Sequence, residues 1–127
     1  MNVLITGSRK LINVDFIFGI LRKELKEGDI IIHGGANGVD NIVQTFCREN
    51  NFHQVVMKPI YPSKKEYYLH RNAEMVGMCD RVIALWDGKS RGTDFTIRYA
   101  RARNFDVKVF KEKQFALPTQ DEGGKGE

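Results

Sequence analysis

Three short glycine-containing segments carry the polar residues best suited to binding an anion. They span residues 6–10, 33–40 and 86–94, and six of the chain's twelve glycines lie in them. Glycine allows a positive φ and lets a ligand approach the backbone amides closely. Two of the segments lead directly into predicted helices, whose free N–H groups and dipole favour negative charge. The pattern therefore predicts that these segments bind phosphate.

The candidate contacts are the glycines and the hydroxyl, amide and charged residues of these segments. The predicted phosphate-binding set is Gly7, Ser8, Arg9, Gly34, Gly35, Asn37, Gly38, Asp87, Gly88, Ser90, Gly92 and Thr93. An arginine such as Arg9 can bind phosphate through two parallel hydrogen bonds. Trp86 can stack on a base or close the core. Asp40 can accept a hydrogen bond from a ribose hydroxyl, position a water, or only favour the first turn of a helix.

Several common motifs with related chemistry are absent. Residues 34–38 do not form G-x-G-x-x-G, and no acidic residue ends the second predicted strand, which argues against an ordinary dinucleotide site. Gly88-Lys89-Ser90 is like the end of a P-loop, but Ile83 stands where the first glycine of that motif belongs. The histidines and cysteines lack metal-ligand spacing. We therefore predict neither a metal nor a cofactor.

The elements that must hold these segments alternate between strands and helices. Uninterrupted apolar runs predict strands over residues 2–6, 29–33, 54–57, 81–86 and 107–110. Apolar residues at three- and four-residue spacing predict helices over residues 14–26, 38–50, 64–79 and 93–103. Strands that are apolar throughout, including a fully buried second strand, are typical of a parallel sheet covered on both faces.

This alternation predicts an α/β, Rossmann-like three-layer sandwich. Its parallel sheet has five or more strands in the order 3-2-1-4-5, because crossovers between parallel strands are right-handed. The order reverses between strands 1 and 4, and ligands of such sheets bind at that reversal, beyond the carboxyl ends of the strands. The glycine segments follow strands 1, 2 and 4, so topology and motifs predict the same site.

Composition places the chain among folded cytoplasmic proteins. Its 127 residues are 42% hydrophobic, which argues against disorder, and no apolar run approaches the roughly 20 residues that span a bilayer. The first residues lack the basic region of a signal peptide, and two cysteines are too few for a disulfide framework. We expect one domain over residues 1–118 and a flexible acidic, glycine-rich tail over 119–127. The tail carries −2 of the net charge of +4, which leaves +6 for the domain.

Four segments, in this order, resemble the YspA-type, YpsA-related branch of the SLOG superfamily. They read LITGSR at 4–9, HGGANGVD at 33–40, RNAEM at 71–75 and WDGKSRGT at 86–93, and the resemblance spans residues 2–110. The superfamily also includes the DNA-processing protein DprA and the LOG phosphoribohydrolases, which release cytokinins from their nucleotides. The resemblance implies a Rossmann-like fold whose glycine loops hold a nucleotide or a nucleotide-derived ligand.

The resemblance also implies roles for individual residues. The glycines of the first phosphate loop and the second Gly-Thr turn, where LOG enzymes hold the nucleotide phosphate, correspond to Gly34, Gly35, Gly38, Gly92 and Thr93. Arg71 is similar in place to a LOG arginine that acts at the glycosidic bond. Asn72 beside it, like Trp86, is expected to contact the base or the ribose.

The sequence departs from the family pattern at two places, one of which bears on catalysis and the other on the identity of the ligand. LOG enzymes follow Gly-Thr with a hydrophobic residue and two glutamates, one of them catalytic, whereas residues 94–96 here are Asp, Phe and Thr. Small residues that the branch carries before Arg-Asn are replaced by Tyr67, Tyr68, Leu69 and His70. The first departure leaves open whether the chain is an enzyme, and the second leaves open which ligand it binds.

The function expected from these observations is binding of a nucleotide-derived small molecule, as a sensor or a sequestering module. One alternative is a phosphoribohydrolase-type N-glycoside hydrolase, with Arg71 at the leaving base and Asp40 or Asp94 assisting a water. A second is single-stranded DNA binding, as in DprA, through the basic residues of 89–103. Nucleic acid is the less favoured partner, because such a charged helix face is commonly just solvated. Relatives often form dimers, which leaves a homodimer or higher homo-oligomer open.

Overall fold

The computed structural model describes residues 1–59 and 65–112, in which strands and helices alternate. The strands are β1 (Asn2–Gly7), β2 (Ile30–His33), β3 (His53–Val56), β4 (Arg81–Trp86) and β5 (Asp106–Lys111). The helices are α1 (Val14–Glu24), α2 (Val39–Glu49), α3 (Lys65–Met78) and α4 (Arg91–Ala102). The predicted tail over 119–127 and the predicted domain end at 118 lie outside the described residues.

The five strands form one parallel sheet in the order β3-β2-β1-β4-β5. In the register, Leu4 of β1 lies opposite Ile32 of β2 on one side and Val82 of β4 on the other. The predicted fold class and strand order are confirmed. The reversal of strand order falls between β1 and β4, so the loops after these two strands meet at one edge of the sheet.

Apolar side chains cover both faces of the sheet. Val3 and Ile5 belong to a core cluster with α1 and α2, whereas Leu4, between them in sequence, belongs to a second cluster with α3 and α4. Burying one such side chain stabilises the fold by about 1.5–3 kcal/mol. Ile30 does not fit the prediction of a fully buried second strand. It is 38% exposed, because it stands at the amino end of β2.

Several predicted boundaries are shifted by one or two residues. Helix α1 ends at Glu24 rather than at residue 26, because Leu25 takes an extended conformation and turns into the core. Helix α4 begins at Arg91 rather than at Thr93, since a tight turn after β4 places Ser90 at its N-cap. Strand β3 begins one residue before its predicted start. Within the described part of the chain, no helix is both long and apolar enough to cross a bilayer.

Two glycines allow the loop after β1 to pack against the start of α2. A Cβ on Gly38 would overlap the carbonyl group of Arg9, and a Cβ on Gly7 would overlap the side chain of Val39. The backbone amide of Val39 donates a hydrogen bond of 3.3 Å to the carbonyl oxygen of Ser8. The loops after β1 and β2 are therefore fixed to each other before any ligand is considered.

We expect Gly38→Ala to destabilise the fold by more than about 1 kcal/mol. Gly38 has φ of 75°, and the added Cβ would meet backbone rather than a side chain that can move. Gly19→Ala is the matched control, because Gly19 is exposed in α1 with nothing within 4 Å of its Cβ position. Urea denaturation followed by circular dichroism should show opposite changes in the two variants. Equal stability would contradict the packing described for Gly38.

Candidate functional site

A cavity of about 810 Å³ opens at the carboxyl ends of β1 and β4. Its walls come from the end of β1 and the loop after it, the end of the loop after β2 with Asp40 of α2, one face of α3, and residues 87, 89–93 and 95 before and within α4. Ligand pockets commonly occupy about 300–1,000 Å³. The cavity lies where the strand order reverses, which is the position that the sheet topology predicts for a ligand.

The cavity brings together part of the predicted site. Nine predicted residues line it: Gly7, Arg9, Asp40, Arg71, Asn72, Asp87, Ser90, Gly92 and Thr93. The others are not part of its wall, namely Ser8, Gly34, Gly35, Asn37, Gly38, Trp86 and Gly88. The wall also includes residues absent from the predicted site: the basic Lys10, Lys89 and Arg91, and the apolar or aromatic Tyr68, Leu69, Met75 and Phe95. The three- and four-residue spacing of 68, 71, 72 and 75 on α3 is a signal that could have placed Tyr68 and Met75 there.

The loop after β2 uses its own polar groups to hold its shape. The amide of Gly35 donates to Nδ1 of His33 over 3.1 Å, so the ring proton lies on Nε2, which pairs with Oε1 of Gln54 at 2.8 Å. The amide of Ala36 donates to Oδ2 of Asp40 over 3.1 Å. Both ring nitrogens of the buried His33 are thus occupied, and the loop has fewer free amides than its glycines imply.

Arg71 is buried against that loop. Its Nη1 donates to the carbonyl oxygens of Gly34 and Met57, each over 2.8 Å, and its Nε donates to Oδ1 of Asn72 over 2.9 Å. A Cβ on Gly34 would overlap the guanidinium. Burial lowers the pKa of Arg71, and the nearby carboxyl of Asp40 opposes that shift. Gly34 is therefore required by the packing of Arg71, and Arg71 is a buried residue that positions the loop.

Asn72 extends this contact to the other glycine segment. Its Nδ2 donates a long hydrogen bond of 3.5 Å to the carbonyl oxygen of Gly92, while its Oδ1 accepts from Arg71. A continuous path runs from Gly34 through Arg71 and Asn72 to Gly92. Helix α3 thereby fixes the distance between the two glycine segments across the cavity.

The turn before α4 is held by Asp87. Its Oδ1 accepts hydrogen bonds from the amides of Lys89 and Ser90 at 2.8 and 2.9 Å, and its own amide donates to the buried hydroxyl of Ser8. Burial raises the pKa of Asp87, but these backbone hydrogen bonds outweigh burial and lower the pKa overall. Trp86 supports the same turn, because its Nε1 donates to the carbonyl oxygen of Ser90 over 3.0 Å.

The first turn of α4 has backbone amides for which the described part of the chain supplies no acceptor. The side chain of Ser90 makes no capping hydrogen bond and pairs instead with the hydroxyl of Thr93 at 3.3 Å. Among the described residues, nothing accepts a hydrogen bond from the amides of Arg91, Gly92 or Thr93. The first backbone hydrogen bond of the helix is donated by the amide of Asp94 to the carbonyl oxygen of Ser90. These amides lie at the positive end of a 12-residue helix.

Gly92 differs from the other site glycines in the space around it. The nearest atom to a Cβ built there is Nδ2 of Asn72, 3.9 Å away. No packing contact among the described residues excludes a side chain at this position, whereas Gly7, Gly34 and Gly38 are each closed by protein atoms. The missing side chain of Gly92 leaves room beside the free amides of α4.

The charges around the cavity favour an anion. Five basic side chains line it, those of Arg9, Lys10, Arg71, Lys89 and Arg91, together with two carboxyl groups, those of Asp40 and Asp87. A concave surface with an excess of positive charge concentrates anions near it. In the parts of the chain that the structure describes, no group of histidine, cysteine or acidic side chains could hold a metal ion.

Of the two carboxyl groups considered for acid–base chemistry, only that of Asp40 lies at the cavity. Asp40 is 7% exposed, and its Oδ1 has no hydrogen-bond partner among the described residues. Burial raises the pKa of Asp40, and the amide of Ala36 and the charge of Arg71 oppose that shift. Asp94 instead pairs with Arg98 at 3.1 Å on the outer face of α4 and is not part of the cavity wall.

The fold and the cavity together define a class, that of Rossmann-like proteins with a cavity at the switch point of a parallel sheet. Within this class, residues 1–60 match the model of a family described as YspA, cpYpsA-related SLOG family. The predicted resemblance to this branch of the SLOG superfamily is thereby confirmed. A search of curated proteins finds no significant match.

Solved structures with the same fold include two DNA processing proteins and one structural-genomics target. The chain matches DNA processing protein A from Helicobacter pylori, reported with its single-stranded DNA binding mode, at a TM-score of 0.66 and 23% identity, covering 90% of this chain and 66% of that one. DprA from Streptococcus pneumoniae matches at a TM-score of 0.70 and 19% identity, covering 89% of this chain and 51% of that one. The target TM1055 matches at a TM-score of 0.69 and 22% identity, covering 84% of this chain and 71% of that one. The chain thus spans just under two thirds of the first protein and about half of the second.

We expect the stability of Asp40→Asn relative to the unmodified protein to increase as the pH rises above 3.8, the ordinary pKa of an aspartate. Because the pKa of Asp40 in the folded state lies above its ordinary value of 3.8, the folded protein binds more protons than the unfolded chain between the two values. Its stability therefore falls through that window. The asparagine side chain of this variant keeps an oxygen that can accept the hydrogen bond from the backbone amide of Ala36, but it carries no charge. Urea denaturation at several pH values measures the difference.

Asp94→Asn is the control for this measurement, since Asp94 is the partner of an exposed ion pair that contributes little to stability. Its stability difference from the unmodified protein should not grow with pH in the same direction. A pH-independent difference for Asp40→Asn would show that burial does not raise the pKa of this carboxyl group.

Proposed function

We propose that the chain binds a phosphorylated, nucleotide-derived small molecule, as a sensor or a sequestering module, with the phosphate at the start of α4. The observation that carries the proposal is that the amides of Arg91, Gly92 and Thr93 have no acceptor among the described residues and lie beside the space left by the missing side chain of Gly92. Helix N-termini with free amides are favourable sites for phosphate groups. The hydroxyls of Ser90 and Thr93 pair with each other at 3.3 Å, which leaves one hydroxyl proton of the pair to be donated to a phosphate oxygen.

The size and charge of the cavity support a ligand larger than phosphate alone. A volume of about 810 Å³ accommodates a sugar and a base as well as a phosphate group. Of the basic side chains in the wall, Lys89 and Arg91 flank the start of α4, and Arg9 and Lys10 follow β1. The family match of residues 1–60 agrees with a nucleotide-type ligand.

In this proposal the first glycine loop supports the site more than it contacts phosphate. The sequence predicts phosphate contacts for Gly35 and Gly38 together with Gly92 and Thr93. However, the amide of Gly35 is held by His33, and Gly38 packs against the backbone of Arg9. In the proposed complex the phosphate therefore binds to the segment around Gly92, whose first helical amides have no acceptor among the described residues.

We expect Gly92→Ala to weaken ligand binding by at least about tenfold without loss of stability. The fold has room for the added methyl group, and alanine in a helix raises stability by about 0.5–1 kcal/mol relative to glycine. The same methyl group would occupy the space beside the free amides. Isothermal titration against a panel of nucleoside phosphates and ADP-ribose derivatives, with urea denaturation in parallel, measures both effects.

Gly77→Ala is the matched control, because Gly77 is an exposed glycine of α3 with nothing near its Cβ position. It should bind every ligand like the unmodified protein. The proposal fails if no compound in the panel gives heat and no small molecule copurifies with the protein. Unchanged affinity in Gly92→Ala would show that the phosphate does not bind at the start of α4.

A hydrolytic function is a second candidate because of Asp40. It is the one acid in the described part of the wall that its neighbours do not fully engage, since Asp87 is held by two amides. A buried carboxyl group with a raised pKa is a typical general acid or base. If the chain is an N-glycoside hydrolase, incubation with the nucleotide panel releases free base, and Asp40→Asn abolishes that release. Absence of base release from every nucleotide would exclude this candidate.

Single-stranded nucleic acid is a further candidate ligand, favoured by the exposed surface of α4. Phe95 and Tyr99 stack with ring centroids 5.6 Å apart, and the guanidinium of Arg103 lies 3.6 Å from the centroid of the Tyr99 ring. Arg98 and Arg101 are exposed on the same helix. Basic and aromatic side chains together are typical of surfaces that bind single strands, and one structure of the same fold is reported with single-stranded DNA binding.

If α4 binds single-stranded DNA, the double variant Arg98→Gln/Arg101→Gln should weaken binding and reduce the salt dependence. The slope of log affinity against log salt should fall by about 0.7 for each phosphate that the variant no longer neutralises. Arg48→Gln is the control, because Arg48 is an exposed arginine of α2 on the other face of the sheet. Fluorescence anisotropy with labelled oligothymidine at several salt concentrations measures the slope. No binding at low salt would exclude this candidate.

A further inference from the structure

Tyr68 places an aromatic ring in the wall of the cavity. It lies on the face of α3 that also carries Arg71 and Asn72, and it is half-buried. Leu69, Met75 and Phe95 extend this part of the wall with apolar surface. The cavity therefore has a basic end at the start of α4 and an apolar, aromatic side along α3. A phosphate suits the first region, and a planar ring suits the second.

The ring of Tyr68 is also in contact with two guanidinium groups. That of Arg9 lies 4.7 Å from the ring centroid, and that of Arg71 lies 5.4 Å away. Arg71 is committed to the carbonyl groups of Gly34 and Met57. The side chain of Arg9 is exposed and, within the described ranges, makes no hydrogen bond or ion pair. Arg9 can therefore leave the ring without breaking a polar contact to the described residues, whereas Arg71 cannot.

The relative strengths of two contacts, that of Arg9 with the ring of Tyr68 and that of a guanidinium with phosphate, indicate which partner Arg9 prefers. An exposed cation–π contact contributes only about 0.5–1 kcal/mol, whereas paired hydrogen bonds between a guanidinium and a phosphate are among the strongest polar contacts in proteins. A phosphate within reach of Arg9 would therefore compete successfully with the ring for its guanidinium. When Arg9 turns to the phosphate, the ring of Tyr68 is freed from one of its cationic neighbours and can contact the ligand.

We propose that Tyr68 is the residue that selects a planar aromatic base, so that the preferred ligands are nucleotides rather than simple sugar phosphates. The phosphate draws Arg9 from the ring, and the ring then stacks on the base. This inference rests on the proposed function and adds the residue that recognises the base of the ligand. Tyr68 acts here as a specificity-determining residue and takes no part in bond breaking.

The test compares the four ribonucleoside 5′-monophosphates with ribose 5-phosphate by isothermal titration. We expect at least one nucleotide to bind the unmodified protein about tenfold or more tightly than ribose 5-phosphate, as stacking on an aromatic side chain predicts. In Tyr68→Leu this preference should disappear, while ribose 5-phosphate binds unchanged or up to about fivefold tighter, because Arg9 no longer leaves a ring. A purely structural role of Tyr68 would instead weaken both ligands together.

Two controls make the result specific to the ring. Tyr68→Phe keeps the stacking surface and should keep the preference for nucleotides. Tyr67→Leu changes the preceding tyrosine of α3, which is not part of the cavity wall, and should also keep it. Binding of ribose 5-phosphate to Tyr68→Leu shows directly that this variant is folded.

The unfavourable outcomes separate this inference from the proposal on which it rests. If ribose 5-phosphate and the nucleotides bind the unmodified protein equally well, the phosphate site stands and the role of Tyr68 is refuted. If Tyr68→Leu still prefers nucleotides, or if it binds neither class of ligand, the role of Tyr68 is also refuted. If neither class binds the unmodified protein, the proposed function itself fails and this inference fails with it.

Discussion

The hydrogen bonds of the buried Arg71 guanidinium are the interactions on which the geometry of the cavity depends. They fix the carbonyl of Gly34 after β2 and that of Met57 after β3. Asp40 holds the same loop through the amide of Ala36. The loop thus lies between a cation that binds the carbonyl oxygen of Gly34 and a carboxyl group that binds the amide of Ala36. Hydrogen bonds to charged groups are about twice as strong as neutral ones, so a segment rich in glycine is held in one conformation.

This arrangement explains why two similar glycine segments serve different purposes. Helices α2 and α4 both begin at the carboxyl edge of the sheet, and either N-terminus could attract an anion. At α2, however, the amide of Val39 already donates to the carbonyl oxygen of Ser8, and Gly38 is packed against Arg9. At α4 the first amides are unpaired among the described residues, and Gly92 is open. The first segment therefore gives the cavity its shape, whereas the second keeps amides that the described residues do not engage.

The sequence predicts the sheet and its order because the strands are continuous apolar runs, and it predicts helix ends to within about two residues. The use of each glycine cannot be predicted in the same way. Gly34 is closed by Arg71, which lies 37 positions further along the chain, whereas Gly92 is open. Local sequence does not contain that difference, because it arises from tertiary packing. The same reason hides the burial of Asp40, which as a residue of the first helical turn is equally consistent with exposure.

The charge of the cavity also depends on which side chains are fixed. The net charge of +4 for the whole chain does not locate an anion site, and even the basic residues of the wall are not equivalent. The charge of Arg71 is committed to carbonyl groups in the interior, so its direct contribution to a ligand is small. Arg9 is held by a ring alone among the described residues. A rigid loop beside a cation that can move is the arrangement that the proposed function requires, in which the phosphate binds at one place and the rest of the ligand is recognised at another.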